Sequence, residues 1–376
     1  MCIGIGRRHG LLSKTRQDDN VKMMKQSVCI IAEDLSEPID EGIKHFAYSL
    51  IESGSEEYNV HGLSIRTSGL MNMPRTDSVN ANKLFISSEL RAKIRDCHPD
   101  IICYVPKASA TLFSFFRSRV LKLNRMAAKV IMVALQPRDY GWLSRHLVRF
   151  LKPDTIFVQS ESAMKKLEKI GCRVKLLPSG VDIKKFSPVS AERKMDLRNR
   201  YGLDRKAFTV LHVGHATASR NIDILVRVRR ELKAQVIFVG SSLQHEDGSE
   251  LIARLRREGI TVLDKYFPDI EELYQLSDCY LFPVFSDRAC IGVPLSILEA
   301  MACNLPVVSV RYGTLPAIFK EDHDLMYADT PEGLLEGLST ARNLNGNCHT
   351  REKVLPYSWQ QISRCILDET ITEVKN

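Results

Sequence analysis

The chain has 376 residues, of which 44% are hydrophobic and 26% charged, and its net charge is +8. This length is too great for one compact core and suits two domains of ordinary size. No apolar run approaches the roughly 20 residues that span a bilayer, and the charged first residues do not fit a secretory signal. The moderate positive charge is compatible with nucleotides, acidic lipid headgroups or nucleic acid and decides between none of them.

Ten cysteines are scattered along the chain, with no Cys-x-x-Cys pair. Several of them, including Cys29, Cys103, Cys279 and Cys303, fall in apolar segments, where thiols usually pack as small hydrophobes. Unpaired cysteines of this kind are typical of a reducing compartment. We therefore expect a cytoplasmic protein.

The first half of the chain alternates apolar strands with helical patterns. After a loose leader at residues 1–26, strands are expected at 28–32, 60–65, 101–105, 129–135, 155–158 and 174–177, with helices at 42–52, 84–95, 108–124 and 160–170. This alternation predicts a parallel sheet covered by helices on both faces. Residues 27–188 thus form one predicted α/β domain of Rossmann-like type.

A polar, charge-rich passage at 187–205 is the predicted connection between domains. The alternation then restarts, with strands at 209–213, 235–239, 280–282 and 306–310 and helices at 222–232, 250–257, 271–277, 295–303 and 331–344. Residues 189–356 therefore predict a second Rossmann-like domain, and residues 357–376 contain an amphipathic helix. Two such domains predict a ligand cleft between them, beyond the carboxyl ends of the strands.

The segment 292–310, GVPLSILEAMACNLPVVSV, is the most informative part of the sequence. Gly292 and Pro294 break the backbone, Leu295 begins a short helix, and Asn304 suits the left-handed conformation that ends one. A helix that begins after such a turn can face an anion with its N-terminus. Glu299, its only acid, has apolar neighbours and therefore needs a partner. The alternative is that Glu299 only solvates one face of the helix.

The loop 214–223 predicts a phosphate site. Gly214 permits close approach of a ligand, Arg220 offers a forked donor, and His215 offers a second donor. The alternative is an ordinary loop with a solvated Arg220.

Two loops of the first domain are predicted to line the same cleft. The loop 33–42 is acidic and turns into a helix at Gly42, where the missing side chain suits close approach to a ligand. Its acids are either acceptors for hydroxyl groups or charges that favour the helix dipole. Gln136 and Arg138 follow another strand on the expected acceptor side, where Arg138 faces an anionic substrate or forms a structural salt bridge.

Other charged or glycine-rich patterns are less specific. The densest basic cluster, Arg117, Arg119, Lys122 and Arg125, fits a solvated helix face as well as a contact with an anionic surface. It leaves open a peripheral contact with the inner membrane face, and no nucleic-acid partner is predicted. Glycines 4, 6 and 10 follow no strand, so they predict no dinucleotide site. The triplet 322–324, Asp-His-Asp, lies far from the predicted cleft loops, so no metal site is predicted.

Together these motifs resemble the retaining glycosyltransferase family 4 of the GT-B fold, from residue 28 to the terminal helix. The segment 292–308 matches the family pattern G-x-P-L-x-x-L-E-A-M-A-C-x-x-P-V-V. Residues 157–160 and 178–182, with Phe186 and Pro188, look like its domain-junction signatures. Tyr357-Ser358-Trp359 resembles the start of the family's final helix, which packs back on the N-terminal domain.

The resemblance implies transfer of a sugar from a nucleotide-diphosphate donor to a glycan, glycolipid or small-molecule acceptor, with retention and without metal or cofactor. Glu299 would accept hydrogen bonds from the ribose hydroxyls and Arg220 would bind the diphosphate, which makes these two the candidate catalytic residues. The other residues expected at the donor are Gly42, Gly214, His215, Gly292, Val293, Pro294 and Leu295, with the backbone N–H groups around 293–295 facing the sugar or phosphate.

The chain also departs from the family pattern. Ile291 stands where the family usually has another Glu, and His215 replaces an Arg at the diphosphate site. Residues 134–136 fill the neighbourhood of the family's N-terminal catalytic His, and Ala317 replaces an acid that is often present. These departures leave open a catalytically degenerate GT-B protein that binds a nucleotide or a partner subunit. A sugar-nucleotide epimerase or a phosphorylase is a third interpretation.

Overall fold

The computed structural model describes residues 25–39, 41–65, 74–240, 246–264, 267–286, 289–344, 346 and 348–369. Within them the chain forms two parallel sheets, one of seven strands and one of six. The predicted α/β class with two Rossmann-like units is therefore confirmed. Nearly all of the predicted leader, with its three glycines, lies outside the described residues.

The first sheet has strand order β3-β2-β1-β4-β5-β6-β7, and all neighbouring strands are parallel. Every residue of the fourth strand is buried, as expected for a parallel strand covered on both faces. The strands are β1 (Ser27–Ala32), β2 (Asn59–Ser64), β3 (Thr76–Ser78), β4 (Ile101–Val105), β5 (Lys129–Ala134), β6 (Thr155–Val158) and β7 (Val174–Leu176). The helices are α1 (Gly42–Gly54), α2 (Ser88–Cys97), α3 (Leu112–Asn124), α4 (Trp142–Leu151) and α5 (Glu161–Glu168).

Helix α2 begins four residues later than the sequence pattern predicted. The Ser87 hydroxyl accepts a hydrogen bond from the Leu90 N–H and caps the helix there. Phe85 has a φ of +64°, which excludes it from the helix. Capping chemistry therefore determined this boundary, where apolar spacing alone pointed to an earlier start.

The second sheet has strand order β10-β9-β8-β11-β12-β13 and is also parallel throughout. Its strands are β8 (Thr209–Val213), β9 (Gln235–Val239), β10 (Thr261–Leu263), β11 (Cys279–Phe282), β12 (Val307–Val310) and β13 (Leu325–Ala328). The helices are α6 (Ala191–Arg200), α7 (Ile224–Glu231), α8 (Glu246–Arg257), α9 (Ile270–Leu276), α10 (Leu295–Ala302), α11 (Leu315–Ile318), α12 (Pro331–Arg342), α13 (Thr350–Val354) and α14 (Trp359–Leu367).

The passage 187–205, predicted as a connection, contains helix α6. Ser190 caps this helix by accepting a hydrogen bond from the Arg193 N–H. The Arg198 side chain is buried and donates to the Leu276 carbonyl at 2.9 Å and to the Asp278 carboxylate at 2.6 Å. The charges that suggested a linker are thus part of the packing of α6 against α9 and its following strand.

The last described helix, α14, packs against α1 beside the first sheet. The Trp359 ring meets the Phe46 ring edge-on at 5.1 Å, and the Arg364 guanidinium donates two hydrogen bonds to Glu57. Gly180 packs directly against Trp359, and a Cβ at this glycine would lie 2.5 Å from the Trp359 ring. The domain boundaries at residues 188 and 356 stay a prediction. No helix in the described ranges is long and apolar enough to cross a bilayer.

Candidate functional site

Glu299 lies on α10 with only 8% of its side chain exposed. Tyr274 on α9 donates a 2.7 Å hydrogen bond to Glu299 Oε2. Burial raises the pKa of the Glu299 carboxyl to about 7, although the bond from Tyr274 and the charge of Lys185 act in the opposite direction. Within the described part of the chain no Lys or Arg forms a salt bridge with it, so the carboxyl retains capacity to accept further hydrogen bonds.

Tyr274 was not singled out by sequence reasoning. It is fully buried, and the rings of Phe186 and Tyr280 lie at 5.6 and 5.8 Å from its own. A buried tyrosine hydroxyl usually forms a hydrogen bond with a polar partner, and a lone acid in an apolar helix also needs such a partner. This shared need is the only signal in the sequence that could have paired Tyr274 with Glu299.

Arg220 lies in the loop between β8 and α7 and is 8% exposed. Its Nη2 donates a 3.0 Å hydrogen bond to the Ala289 carbonyl. A Cβ added at Gly214 would lie 2.7 Å from Arg220 Nη1, so the group that makes a close approach to this glycine is the guanidinium itself. His215 follows in the same loop and is half-buried. The loop thus holds one buried cation, without a described acid in a salt bridge to it.

Tyr280 on β11 borders both Glu299 and Arg220. Burial raises the pKa of its hydroxyl, the Glu299 charge adds to this effect, and the Arg220 charge opposes it. The Tyr280 ring lies 5.8 Å from the ring of Tyr274, whose hydroxyl bonds to Glu299. The Tyr280 hydroxyl donates at 3.4 Å to the Val213 carbonyl, and the next residue, Gly214, is the one that the Arg220 guanidinium approaches. The structure therefore brings the predicted acid and the predicted cation to one region, at the carboxyl ends of β8 and β11.

The turn before α10 is largely used for contact between the domains. The Gly292 N–H donates to the Leu135 carbonyl at 3.0 Å, and the Val293 N–H donates to Gln159 Oε1 at 3.2 Å. Pro294 has no N–H. The expectation that the backbone N–H groups of 293–295 face the donor is therefore wrong for Val293 and Pro294. Of that set, only the Leu295 N–H lacks an acceptor among the described residues.

Small residues allow the two domains to touch at this turn. A Cβ at Gly292 would lie 2.9 Å from Gln159 Cβ of the first domain. Within the second domain, a Cβ at Gly313 would clash with the Gly292 carbonyl oxygen. The Ser179 hydroxyl donates to the Val293 carbonyl at 2.7 Å and accepts a hydrogen bond from Gln159 Nε2 at 2.8 Å. The two junction motifs seen in the sequence therefore bind the backbone of the Glu299 segment directly.

Gly42 at the start of α1 faces Ile291. A Cβ at Gly42 would lie 3.5 Å from Ile291 Cδ1, an ordinary van der Waals distance. Ile291 is 5% exposed. The position where the family resemblance expects a carboxylate is therefore an apolar contact between the domains.

Three acids of the loop 33–41, namely Glu33, Asp34 and Glu41, form ion pairs with cations. Asp34 Oδ2 lies 3.7 Å from the amines of both Lys44 and Lys107, and Glu33 lies 2.8 Å from Arg117. Against the effect of burial, hydrogen bonds from Ser36 and the two lysines lower the pKa of Asp34. Asp40 lies outside the described residues. The ion pairs with Lys107 and Arg117, which lie far along the chain, were not foreseen from the acidic loop alone.

Gln136 and Arg138 lie together after β5. Arg138 Nη2 donates to Gln136 Oε1 at 3.3 Å, and its Nε donates to the Ala108 carbonyl at 3.0 Å. Neither of these acceptors is a carboxylate, so the alternative of a structural salt bridge is not seen within the described ranges. Both side chains are half-buried at the edge of the sheet that faces the second domain.

The triplet Asp322, His323 and Asp324 has ligand atoms within 4.8 Å of one another and could hold an ion by spacing alone. However, Asp322 accepts hydrogen bonds from two backbone N–H groups and forms an ion pair with Lys353. A neighbouring ammonium group and the N–H groups of a backbone turn already satisfy the charge and the hydrogen bonding of this carboxylate. The triplet also lies outside the region of Glu299 and Arg220.

Residues 207–342 match the family model described as Glycosyl transferases group 1. The matched segment is about a third of the chain and contains all six strands of the second sheet. Sulfoquinovosyl transferase SQD2 of Arabidopsis thaliana is 25% identical over 249 residues, which are 63% of this chain and 48% of that protein. Alpha-galactosylglucosyldiacylglycerol synthase of Streptococcus pneumoniae is 30% identical over 146 residues, 36% of this chain and 37% of that protein. The chain thus spans about half or less of the length of these curated relatives.

Solved structures share the fold over almost the whole chain. A glycosyltransferase from Rickettsia africae superposes with a TM-score of 0.73 at 15% identity and covers 93% of this chain and 99% of its own. Alr3699/HepE of Anabaena, solved in complex with UDP-glucose, has a TM-score of 0.70 at 15% identity and covers 91% and 98%. The predicted GT-B fold, with two Rossmann-like domains in succession along the chain, is confirmed.

Proposed function

We propose that this protein transfers a sugar from a nucleotide-diphosphate donor to a hydroxyl group of an acceptor, with retention of the anomeric configuration and without metal. One observation carries the proposal: the buried Glu299 carboxyl, which accepts a hydrogen bond from Tyr274 and forms no described salt bridge, is connected to the buried Arg220 through Tyr280. The Tyr280 ring packs on Tyr274, and its hydroxyl bonds to the Val213 carbonyl beside the Arg220 guanidinium. A nucleotide diphosphate needs an acid that accepts hydrogen bonds from its hydroxyls and a cation that binds its phosphates, and Glu299 and Arg220 provide both.

The roles follow from charge and geometry. Glu299 accepts hydrogen bonds from ribose hydroxyls, and Arg220 donates to the diphosphate oxygens. The free Leu295 N–H at the start of α10 adds a donor with the favourable sign of the helix dipole. Gly42, Gly214 and His215 are proposed to border the phosphates.

The proposed chemistry needs no cofactor. The bond between the anomeric carbon and the diphosphate oxygen breaks, and the acceptor oxygen bonds to the same face of that carbon. The departing diphosphate takes the acceptor's proton, and Arg220 with the α10 N-terminus stabilises its negative charge. Gln136 and Arg138 are proposed to lie on the acceptor side.

We propose a UDP-sugar as the first donor to test, because the HepE structure was solved with UDP-glucose. The acceptor is proposed to be a glycan, a lipid or a small molecule, and the printed names of relatives include a diacylglycerol glycolipid synthase. We further propose a cytoplasmic enzyme that contacts the inner membrane face peripherally and binds no nucleic acid.

Thermal unfolding with nucleoside diphosphates tests this function. We expect UDP, GDP or ADP, far above a typical dissociation constant, to raise the Tm of the full chain. The absence of stabilisation by all three would contradict the proposal. A matching transfer assay with UDP-sugars then separates an enzyme from a binding protein.

A catalytically degenerate GT-B protein is the second candidate. The apolar Ile291, sealed against Gly42 where the family resemblance expects an acid, favours it. Nucleotide binding without transfer or donor hydrolysis would support this candidate. Sugar transfer that is lost in Glu299→Gln would exclude it.

A further inference from the structure

Large apolar side chains are exposed in one part of the molecule. Of the nine that the described residues expose, six lie on α3, on α4 or just after α3. Helices α3 and α4 pack against each other, so these side chains form one region, which we name the α3–α4 surface: Phe113, Leu123, Met126, Trp142, Leu147 and Phe150. Single exposed apolar residues are ordinary, but a cluster of this kind marks an interaction site.

Helix α4 divides into an apolar stripe and a basic flank. Trp142, His146 and Phe150 are spaced by four residues and lie along one face, with the Trp142 and His146 rings at 5.7 Å. Arg145 and Arg149 lie along the adjoining face and are also exposed, whereas Val148 is buried against the domain. The exposed side of the helix is thus apolar along its centre and cationic along one edge, the pattern of a helix that lies in a membrane interface.

The charge of the chain is concentrated in the same segment. Residues 112–152 contain nine Lys and Arg and one acid, Asp139, so their net charge of +8 equals the net charge of the whole chain. Three of these cations form ion pairs: Arg117 with Glu33, Lys122 with Asp154 and Lys129 with Glu369.

Three arginines of helices α3 and α4, in contrast, have no ion pair in the described ranges. Arg119, Arg145 and Arg149 are exposed, and none of them forms a salt bridge with a described acid. Each cation near an anionic leaflet adds to the attraction between the protein and the membrane surface. A soluble polyanion would use these arginines and leave Trp142 and Phe150 in water, whereas a bilayer uses both kinds of side chain.

We propose that the α3–α4 surface docks on an anionic lipid bilayer. Trp142 and Phe150 enter the interface between headgroups and acyl chains, and Arg145 and Arg149 bind lipid phosphates. The exposures of Trp142 and Phe150, 74% and 77%, leave these side chains ready to insert without a change of fold.

The docked orientation also indicates the class of acceptor, a step that rests on the proposed function. The Leu135 carbonyl bonds to Gly292 at the junction of the two domains, and α4 begins seven residues later at Trp142. Seven residues span at most about 25 Å, so the bilayer surface lies within that distance of the junction. Gln136 and Arg138 lie on this path. The acceptor hydroxyl therefore belongs to a lipid or a lipid-linked glycan that stays in the membrane.

Tryptophan fluorescence tests the docking and its orientation together. The chain has two tryptophans, and Trp359 is only 5% exposed. We expect vesicles of phosphatidylglycerol and phosphatidylcholine to shift the emission of the full chain to the blue, and pure phosphatidylcholine to have little effect. Trp142→Phe should still sediment with the anionic vesicles but lose the shift. Binding without a shift in the unmodified chain would overturn the proposal, because another surface would be docking.

Paired variants in vesicle cosedimentation complete the test. Trp142→Ser/Phe150→Ser and Arg145→Glu/Arg149→Glu should each lower the vesicle-bound fraction about tenfold or more. The matched controls Leu355→Ser and Lys206→Glu/Arg257→Glu alter exposed apolar and basic residues elsewhere and should bind normally. Equal binding by all variants would overturn the proposal. So would a dimer of the unmodified chain, without vesicle binding, that the Trp142→Ser/Phe150→Ser change dissociates.

The readouts separate this inference from the proposed function. The docking variants should keep the Tm increase that UDP gives the unmodified chain, since the altered side chains lie outside the region of Glu299 and Arg220. If vesicles bind but no nucleoside diphosphate stabilises the chain, the docking stands and the assignment of a lipid-linked acceptor fails.

Discussion

The Tyr274 hydroxyl donates a 2.7 Å hydrogen bond to the Glu299 carboxylate, and both side chains are buried between α9 and α10. This bond opposes the effect of burial, which raises the pKa of Glu299 to about 7. Tyr274 therefore acts on the donor site through the charge of Glu299, so it is a positioning residue in the proposed mechanism.

Tyr274→Phe should lower the affinity for UDP-glucose at neutral pH. The hydrogen bond from Tyr274 lowers the pKa of Glu299, so its loss leaves a larger fraction of the carboxyl protonated and able to accept fewer hydrogen bonds. Raising the pH should restore part of the affinity, which calorimetric titrations between about pH 6 and pH 9 would reveal.

Tyr201→Phe is the matched control for this prediction. The Tyr201 hydroxyl also donates to a carboxylate of the second domain, Glu272, at 2.8 Å. Its loss should leave the affinity and its pH dependence unchanged. Equal affinity profiles for Tyr274→Phe and the unmodified chain would contradict the role assigned to Tyr274.

The pKa of Glu299 predicts how stability depends on pH. Its ordinary value is 4.5 and burial raises it to about 7, so between these values the folded state binds the proton more tightly than the unfolded state. The free energy of unfolding therefore falls as the pH rises through this window. From about pH 5 to pH 8 the free energy of unfolding of the unmodified chain should fall by about 3 kcal/mol more than that of Glu299→Gln, as measured by urea denaturation. Parallel pH profiles for the two proteins would show that the carboxyl titrates normally.

Arg220→Ala should weaken binding of UDP by about 1.5–3 kcal/mol, the contribution of hydrogen bonds to a charged group. Arg220→Lys should retain part of the affinity, because an ammonium group keeps the charge but loses the fork. Arg230→Ala, an exposed arginine that pairs with Glu258 on the same domain, serves as the control. Unchanged UDP affinity in Arg220→Ala would show that the diphosphate does not bind at this loop.

Two glycine substitutions separate structure from ligand contact. Gly292→Ala should destabilise the chain, since its Cβ would lie 2.9 Å from Gln159 Cβ and 3.2 Å from the Gln159 carbonyl oxygen. Gly42→Ala has an ordinary contact of 3.5 Å with Ile291 and should be close to neutral in thermal unfolding. If phosphates approach Gly42, its Ala variant should nevertheless lose affinity for UDP. An unaffected UDP affinity in Gly42→Ala would show that this glycine does not border the bound UDP.

Periodicity in the sequence predicted ten of the thirteen described strands, because most parallel strands are continuous apolar runs, but it missed β3, β10 and β13. Strand β3, with the sequence Thr-Asp-Ser, is short, polar and half-buried and therefore carries no such signal. Helix α6 was hidden by its charges, because the burial of Arg198 depends on Asp278, 80 residues away.

Pairs within the candidate site show the same limit. The sequence indicated that Glu299 needs a partner, but the identity of Tyr274 follows from the packing of α9 on α10. The amide of Val293 was expected to be free, and Gln159, 134 residues earlier, accepts its hydrogen bond. Residue type and local turns thus predicted which groups matter, while contacts between elements decided which of them remain available.

A crystal structure of the full chain with UDP is the most direct test of the central claim. The account predicts the ribose hydroxyls within hydrogen-bond distance of Glu299 and the diphosphate within hydrogen-bond distance of Arg220, in the space between the two sheets. UDP bound elsewhere, with Glu299 still bonded only to Tyr274 and Arg220 without a phosphate contact, would contradict it.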